Sequence, residues 1–409
     1  MSYTNKIIAI SGEPVSGKGT VIRELRKQLL KKGYKEENIH VISTGHKFRE
    51  FFEVILDFIK NNENEEKLKE ISAKPPMDEI LANPQYREKI TKTIARIKNE
   101  KIKLDDIDSI SDANNSEVLK DIRDMIDYLI DTGSKKMGDE IAEKESKDEI
   151  WIFDSRMAFA NIHEAFSIRL TTNSREAGKR LFNDKTRGKE DRYSSVEEAE
   201  KAREERRIGE IKRYKERYGV DLENPDNYDL IIDTSYADVK DIADVILLCG
   251  KRRDEGGYFG KTWASPLTML PSQTMQETWD PSPGYGLKLL EIVNKIKENG
   301  YYPDREIQIF RMDGVNYILE GHHRNFASIF AGKTLIPYID EMTTEEGRKR
   351  AERGWIPTCT KKFLFDHEFL VERGLRVAKN DNKIKFSYSD IYPDILDRIE
   401  DPTKKGEDR

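Results

Sequence analysis

Cysteine is scarce. Cys249 and Cys359 are the two in 409 residues, too few for a disulfide framework or a cysteine zinc site, and they fit a reducing compartment. Long apolar runs are missing as well. No segment approaches the roughly 18 residues that a membrane span requires, so no membrane partner is expected. An excess of positive charge is also absent: 71 Lys and Arg stand against 77 Asp and Glu, for a net charge of -6. A basic face is the usual mark of a nucleic-acid partner, so none is expected. The opening MSYTNKIIAISG lacks the basic region and apolar stretch of a signal peptide. Together these absences lead to the expectation of a cytoplasmic protein that works on small molecules.

What is present is strongly charged, at 36%, with apolar residues gathered in short runs. KIIAIS, HVIST, EIWIFD, FSIRLTT and YDLIIDT read as buried strands. Helical patterns separate them, and the alternation predicts an α/β fold with a parallel sheet and helices on both faces. Residues of about 50–148 are helical and charged, a long insertion between the second and third strands. Residues 183–218 read as a further helical stretch, its helix preceded by the insertion NDKTRGKEDRYSS. The amphipathic VKDIADVILLC follows YDLIIDT as a last helix. The glycine-rich KRRDEGGYFGK reads as a linker, which divides the chain into a first domain, 1–250, and a smaller α+β domain, 258–345. A charged extension, 346–409, closes the chain.

The strongest local signal is Gly12-Glu-Pro-Val-Ser16-Gly17-Lys18-Gly19-Thr20, set between a predicted strand and a predicted helix. Glycines let successive N–H groups turn inward onto phosphate oxygens, and the next helix offers its positive end to the same anion. Gly12, Ser16, Gly17, Lys18, Gly19 and Thr20 are the candidate binding residues, with Lys18 reaching the phosphates.

This loop resembles that of the nucleoside monophosphate kinases, and the longer IIAISGEPVSGKGT is similar to the cytidylate kinases. Further segments extend the resemblance to the archaeal type. Ser43-Thr44-Gly45-His46-Lys47-Phe48-Arg49 resembles the family's acceptor-phosphate segment, which implies substrate contacts at Thr44, Gly45 and Arg49. Asp154-Ser155-Arg156 implies Mg²⁺ positioning by Asp154, alongside Thr20, and acceptor binding by Arg156; a strand–helix cap is the plain alternative for Asp154. The spacing of Arg206, Glu210, Arg213-Tyr214 and Tyr218-Gly-Val-Asp221 resembles an arginine-rich lid over about 183–220. That implies catalytic roles for Arg206 and Arg213 beside Lys18 and Asp154. Lys185, Arg187 and Lys189 are lesser candidates. The family's acceptor-binding insertion is much shorter than this chain's. Asp121, Asp124 and Asp127 could read a base there, or form a solvated acidic face. The implied activity is ATP- and Mg²⁺-dependent phosphoryl transfer to a nucleoside monophosphate, CMP or dCMP first. A kinase for another small acceptor is the alternative.

In the C-terminal part, Ser265–Gln273, Glu320-Gly321-His322-His323-Arg324 and Gly332–Pro337 resemble the ParB/sulfiredoxin fold, and within it the free serine kinases. The resemblance implies phosphate or nucleotide binding by residues 320–324, as a second phosphotransferase or a regulatory sensor. Ser272-Gln273 departs from the His-Glu of those kinases, whose glutamate is their proposed base.

Overall fold

The computed structural model describes residues 7–61, 64–74, 77–100, 117–143, 149–162, 164–184, 192–272, 285–312 and 314–353. Among these the chain is α/β, with ten strands and predominantly parallel pairing. It divides into two compact units, one of residues 6–10 and 37–165, the other of 1–5, 11–36 and 166–409. Strand β1 (Ile7–Gly12) starts in one and ends in the other.

In the first unit the strand order is β2 (Ile39–Ser43), β3 (Ile150–Asp154), β1, all parallel. Ile152 and Phe153 are fully buried between neighbours, as expected of a parallel strand covered on both faces. The expected helical insertion is present. It comprises α2 (Thr44–Lys60), α3 (Glu65–Ser72), α4 (Met77–Ala82), α5 (Pro84–Glu100) and α6 (Glu117–Glu143). Phe52, Ile55 and Ile59 of α2 recur at helical spacing and meet Met77, Ile80, Ile122 and Ile126 in one apolar core. Asn64 caps α3 by accepting from the Lys67 amide, which satisfies one of the donors left over at a helix start. A short helix α7 (Ala158–Asn161) follows β3.

In the second unit, α1 (Lys18–Lys31) buries Val21, Leu25 and Leu29 along one stripe. It packs on α10 (Val239–Asp254), whose Ile242, Val245, Ile246 and Cys249 form the matching stripe. Gln28 Nε2 ties the two by donating to the Lys240 carbonyl at 3.2 Å. Strands β4 (Phe166–Thr171) and β5 (Leu230–Asp233) are parallel. Between them lie α8 (Ser174–Asn183) and α9 (Val196–Tyr218). Ser195 caps a fresh start by accepting from the Glu198 amide at 3.2 Å, and the Glu198 carboxylate reaches back to Ser194. Lys185, Arg187 and Lys189 lie outside the described residues.

Helix α10 continues through Lys251–Asp254 before Gly256 turns the chain at φ 66. Beyond it, β6 (Thr262–Ala264) pairs in parallel with β5. From β6 the order runs to β10 (Ile336–Asp340), β8 (Ile307–Met312), β9 (Val315–Glu320) and β7 (Met269–Leu270). Helices α11 (Tyr285–Asn299) and α12 (His322–Phe330) share a core of Leu289, Val293, Ile296, Phe326 and Phe330, and α13 (Glu345–Glu352) ends the described chain.

Asp241 anchors this C-terminal part. It is buried at the start of α10, and its Oδ2 accepts from the Thr334 amide at 2.9 Å and the Thr334 hydroxyl at 2.8 Å. Burial, with the nearby Asp241 charge, pushes the Tyr301 phenol well up. Asp241→Ala leaves these donors buried without an acceptor and should cost about 2–4 kcal/mol of unfolding free energy. Urea denaturation at unchanged m measures it; a loss within about 0.5 kcal/mol, the range of ordinary surface changes, would contradict the anchoring role.

Candidate phosphate-binding site

The loop between β1 and α1 holds the glycine-rich segment 12–20. Gly17 caps α1 at φ 84, with no side chain bonded to the helix start, and the loop meets the positive end of a 14-residue helix. Val15 is, among the described residues, a non-glycine at positive φ (65). A β-branched residue there costs on the order of 1–3 kcal/mol, and such strain persists where the surroundings enforce it. Gly12 must lack a side chain, because a Cβ would stand 2.7 Å from the Leu170 carbonyl and 2.8 Å from Ser16 Oγ. Ser16 is 1% exposed, and its hydroxyl, lying against Gly12, has no hydrogen-bond partner. A buried hydroxyl left without a partner is expensive. Lys18 Nζ folds across the loop to the Gly12 carbonyl at 3.2 Å. Gly19 and Thr20 are exposed on the first turn, and Thr20 Oγ1 accepts from Arg23 at 3.1 Å.

The loop carbonyls are gripped from behind. Thr234, just after β5, donates from Oγ1 to the Ser16 carbonyl at 2.9 Å. Arg180 of α8 donates to the Thr234 carbonyl at 2.5 Å and to the Thr172 and Thr234 hydroxyls at 3.2 Å, and reaches the Val15 carbonyl at 3.5 Å. Burial lowers the pKa of the Arg180 guanidinium, against the opposing charges of Glu176 and Asp233. Burial likewise raises that of the Asp233 carboxyl, which the Ser235 hydroxyl (2.5 Å) and amide (2.8 Å) partly offset. Arg180 was not among the sequence candidates. Its position eight residues beyond Thr172 shows no motif, and only the fold brings it under the loop.

The helix expected as a lid contributes through a different arginine from those anticipated. Arg206 is exposed and paired with Glu210 at 3.2 Å, one turn along α9. Arg213 lies over the Tyr214 ring at 5.2 Å. Arg203 is the buried one: it pairs with Glu13 of the loop and donates to the Thr172 carbonyl at 3.0 Å.

The other candidates belong to the first unit. Asp154 ends β3, with the Ser43 hydroxyl donating to its Oδ2 at 3.3 Å and the Thr44 hydroxyl to its carbonyl at 3.1 Å. Thr44, Gly45 and Arg49 occupy the first turns of α2, where Gly45 and Arg49 are exposed; Arg156 is half-buried after β3. Asp124 and Asp127 are half-buried on α6, and the Asp121 side chain lies outside the described ones. In the sheet register Asp154 stands opposite Ile10 of β1.

In the C-terminal part, Gly321 caps α12 at φ 99. His322 is buried, and its Nε2 accepts from the Ser272 amide at 3.2 Å. Arg324 donates to the Glu306 carbonyl at 2.8 Å, and its pKa is lowered by burial. Glu320 is exposed and His323 half-buried. The first and third of the trio 322–324 thus hold neighbouring segments in place. Gln273 lies outside the described residues.

No family model matches the chain. Among curated proteins, it is similar to an S-adenosylmethionine-dependent nucleotide dehydratase of Lacinutrix mariniflava, 32% identical over 117 residues, which are 27% of this chain. The chain spans 23% of that relative's length. These findings correct the expected identity. The relative is named for a dehydration that depends on S-adenosylmethionine, not for a kinase, so the cytidylate-kinase and serine-kinase readings are withdrawn. With them go phosphoryl transfer as the activity, the kinase and transferase description, and ATP with Mg²⁺ as cofactors. The physical reason is that a glycine-rich loop before a helix specifies an anion's seat, not the reaction carried out on it. Among the described residues, no helix is long and apolar enough to cross a membrane, and no group of three or more His, Cys, Asp or Glu could hold a metal.

The ionic support of α9 carries a pH signature. Hydrogen bonds from Arg207 lower the pKa of the Glu204 carboxyl from its ordinary 4.5. A lowered carboxylate contributes stability that is present above its unfolded value and lost as pH falls through the folded one. The stability curves of the native chain and Glu204→Gln should therefore differ at neutral pH and converge as the pH falls through the lowered value of the Glu204 carboxyl. A constant offset down to the acid limit would contradict the assignment.

Proposed function

We propose that this chain is an enzyme that handles a nucleotide, and that residues 12–20 seat the nucleotide's phosphate groups. The observation that carries the reading is Ser16: a hydroxyl buried without a partner, against Gly12, in a strained loop that opens onto a helix N-terminus. A phosphate oxygen satisfies that hydroxyl, the amides of the first turn and Lys18 at once. Gly17, Gly19 and Thr20 supply the remaining contacts of the cradle.

The relative's name joins two ligands, a nucleotide and S-adenosylmethionine. S-adenosylmethionine carries a sulfonium cation and no phosphate, so a cradle of N–H donors and a lysine suits the nucleotide. In this reading Thr44, Gly45, Arg49, Asp154 and Arg156 offer polar contacts at the carboxyl ends of β2 and β3, where parallel sheets take their ligands. Arg206 stays exposed on α9, and His322 and Arg324 hold neighbouring segments of the C-terminal part.

Calorimetric titration tests the proposal with a nucleoside triphosphate, the matching nucleoside, and S-adenosylmethionine. The triphosphate should bind and the nucleoside should not. Lys18→Ala should weaken triphosphate binding by about tenfold or more, the worth of a hydrogen bond to a charged group, and Ser16→Ala by less. Equal binding by the native chain and Lys18→Ala would overturn the proposal. Binding of S-adenosylmethionine with none of the triphosphate would move the shared function to the other ligand.

A further inference from the structure

A carboxylate inside a phosphate cradle is a physical contradiction unless its charge is cancelled, and Glu13 is the second residue of this one. Its side chain is 14% exposed. Two guanidinium groups meet it: Arg203 of α9 at Oε2, and Arg169 of β4 at Oε1, 3.2 Å away. Arg203 is itself 3% exposed, and its remaining donors are spoken for by the Thr172 carbonyl at 3.0 Å, the Pro14 carbonyl at 3.5 Å and Glu204 at 3.0 Å. Glu204 is shared with Arg207, which also pairs with Glu223, and Glu223 returns to Arg169 through its carboxylate at 3.7 Å and its carbonyl at 3.1 Å. Three arginines and three glutamates thus form a closed, charge-balanced ring through the loop, β4 and α9.

We infer that Arg203 is a positioning residue for the phosphate seat: it cancels the Glu13 charge and fixes the path of residues 13–14, so that the cradle is receptive to an anion. The inference rests on the phosphate-seat reading above. Arg203 does not touch the phosphate. Lysine cannot replace it, because one ammonium lacks the planar fork that reaches Glu13, Pro14 and Thr172 together. The seat is thereby tied to the register of α9. Removing Arg203 has two separable consequences: the loop loses an anchor, and Glu13 is left as an uncompensated negative charge beside the incoming phosphate.

Triphosphate titration of the full chain separates them. In Arg203→Ala the dissociation constant should rise about tenfold or more, and in Arg203→Lys by an intermediate factor. Adding Glu13→Gln to Arg203→Ala removes the stranded charge and should recover a large part of the lost affinity, while thermal unfolding of the double variant stays near that of Arg203→Ala. Native-like affinity in Arg203→Ala would overturn the inference. A loss that Glu13→Gln does not relieve would also overturn it, since Arg203 would then be an anchor alone. If Arg203→Ala does not fold, Arg203→Lys carries the test, again with and without Glu13→Gln. A native chain that binds no triphosphate sinks the phosphate-seat reading itself and the inference with it, whereas native binding with an indifferent Arg203 sinks the inference alone.

Discussion

A guanidinium almost wholly removed from water must be paired, or the fold pays several kcal/mol for it. Arg203 is such a group, and its main partner, Glu13, lies 190 residues away in the chain. That one pair obliges α9 to lie against the loop that follows β1. Arg180 does the same from α8, through carbonyls and hydroxyls at the carboxyl ends of β4 and β5. Helices with little apolar surface are held here by polar bonds, in contrast to α1 and α10, which meet along apolar stripes.

The loop inherits its shape from this arrangement. Val15 is held at positive φ, Gly12 is pressed against the Leu170 carbonyl, and Ser16 is buried with its hydroxyl unsatisfied. Each departs from what isolated chain segments prefer, and departures of this kind gather where a ligand completes the structure. In the C-terminal part the turn at Gly321 also opens a helix at positive φ, and there His322 and Arg324 are engaged by Ser272 and Glu306.

Much of the architecture was legible before any coordinates. The apolar β-branched runs became β1 to β5, and the charged, periodic segment after β2 became a helical insertion with its own core. The loop was legible because glycine spacing reports backbone geometry directly. The short strands β6 and β7 were not, since two or three residues carry no period. Arg180 and Arg203 were invisible for another reason. One arginine among many in a charged helix looks like a solvated one, and only tertiary contact shows which of them is buried. The reaction was the least legible of all, because an anion cradle serves many chemistries.

Amide hydrogen exchange over residues 12–20, with and without a saturating nucleoside triphosphate, tests the central claim most directly. Phosphate oxygens seated on the loop should slow exchange of the amides from Val15 to Thr20, and inorganic triphosphate should reproduce the effect while the nucleoside does not. Exchange unchanged in these amides, under conditions where the triphosphate is bound, would contradict it.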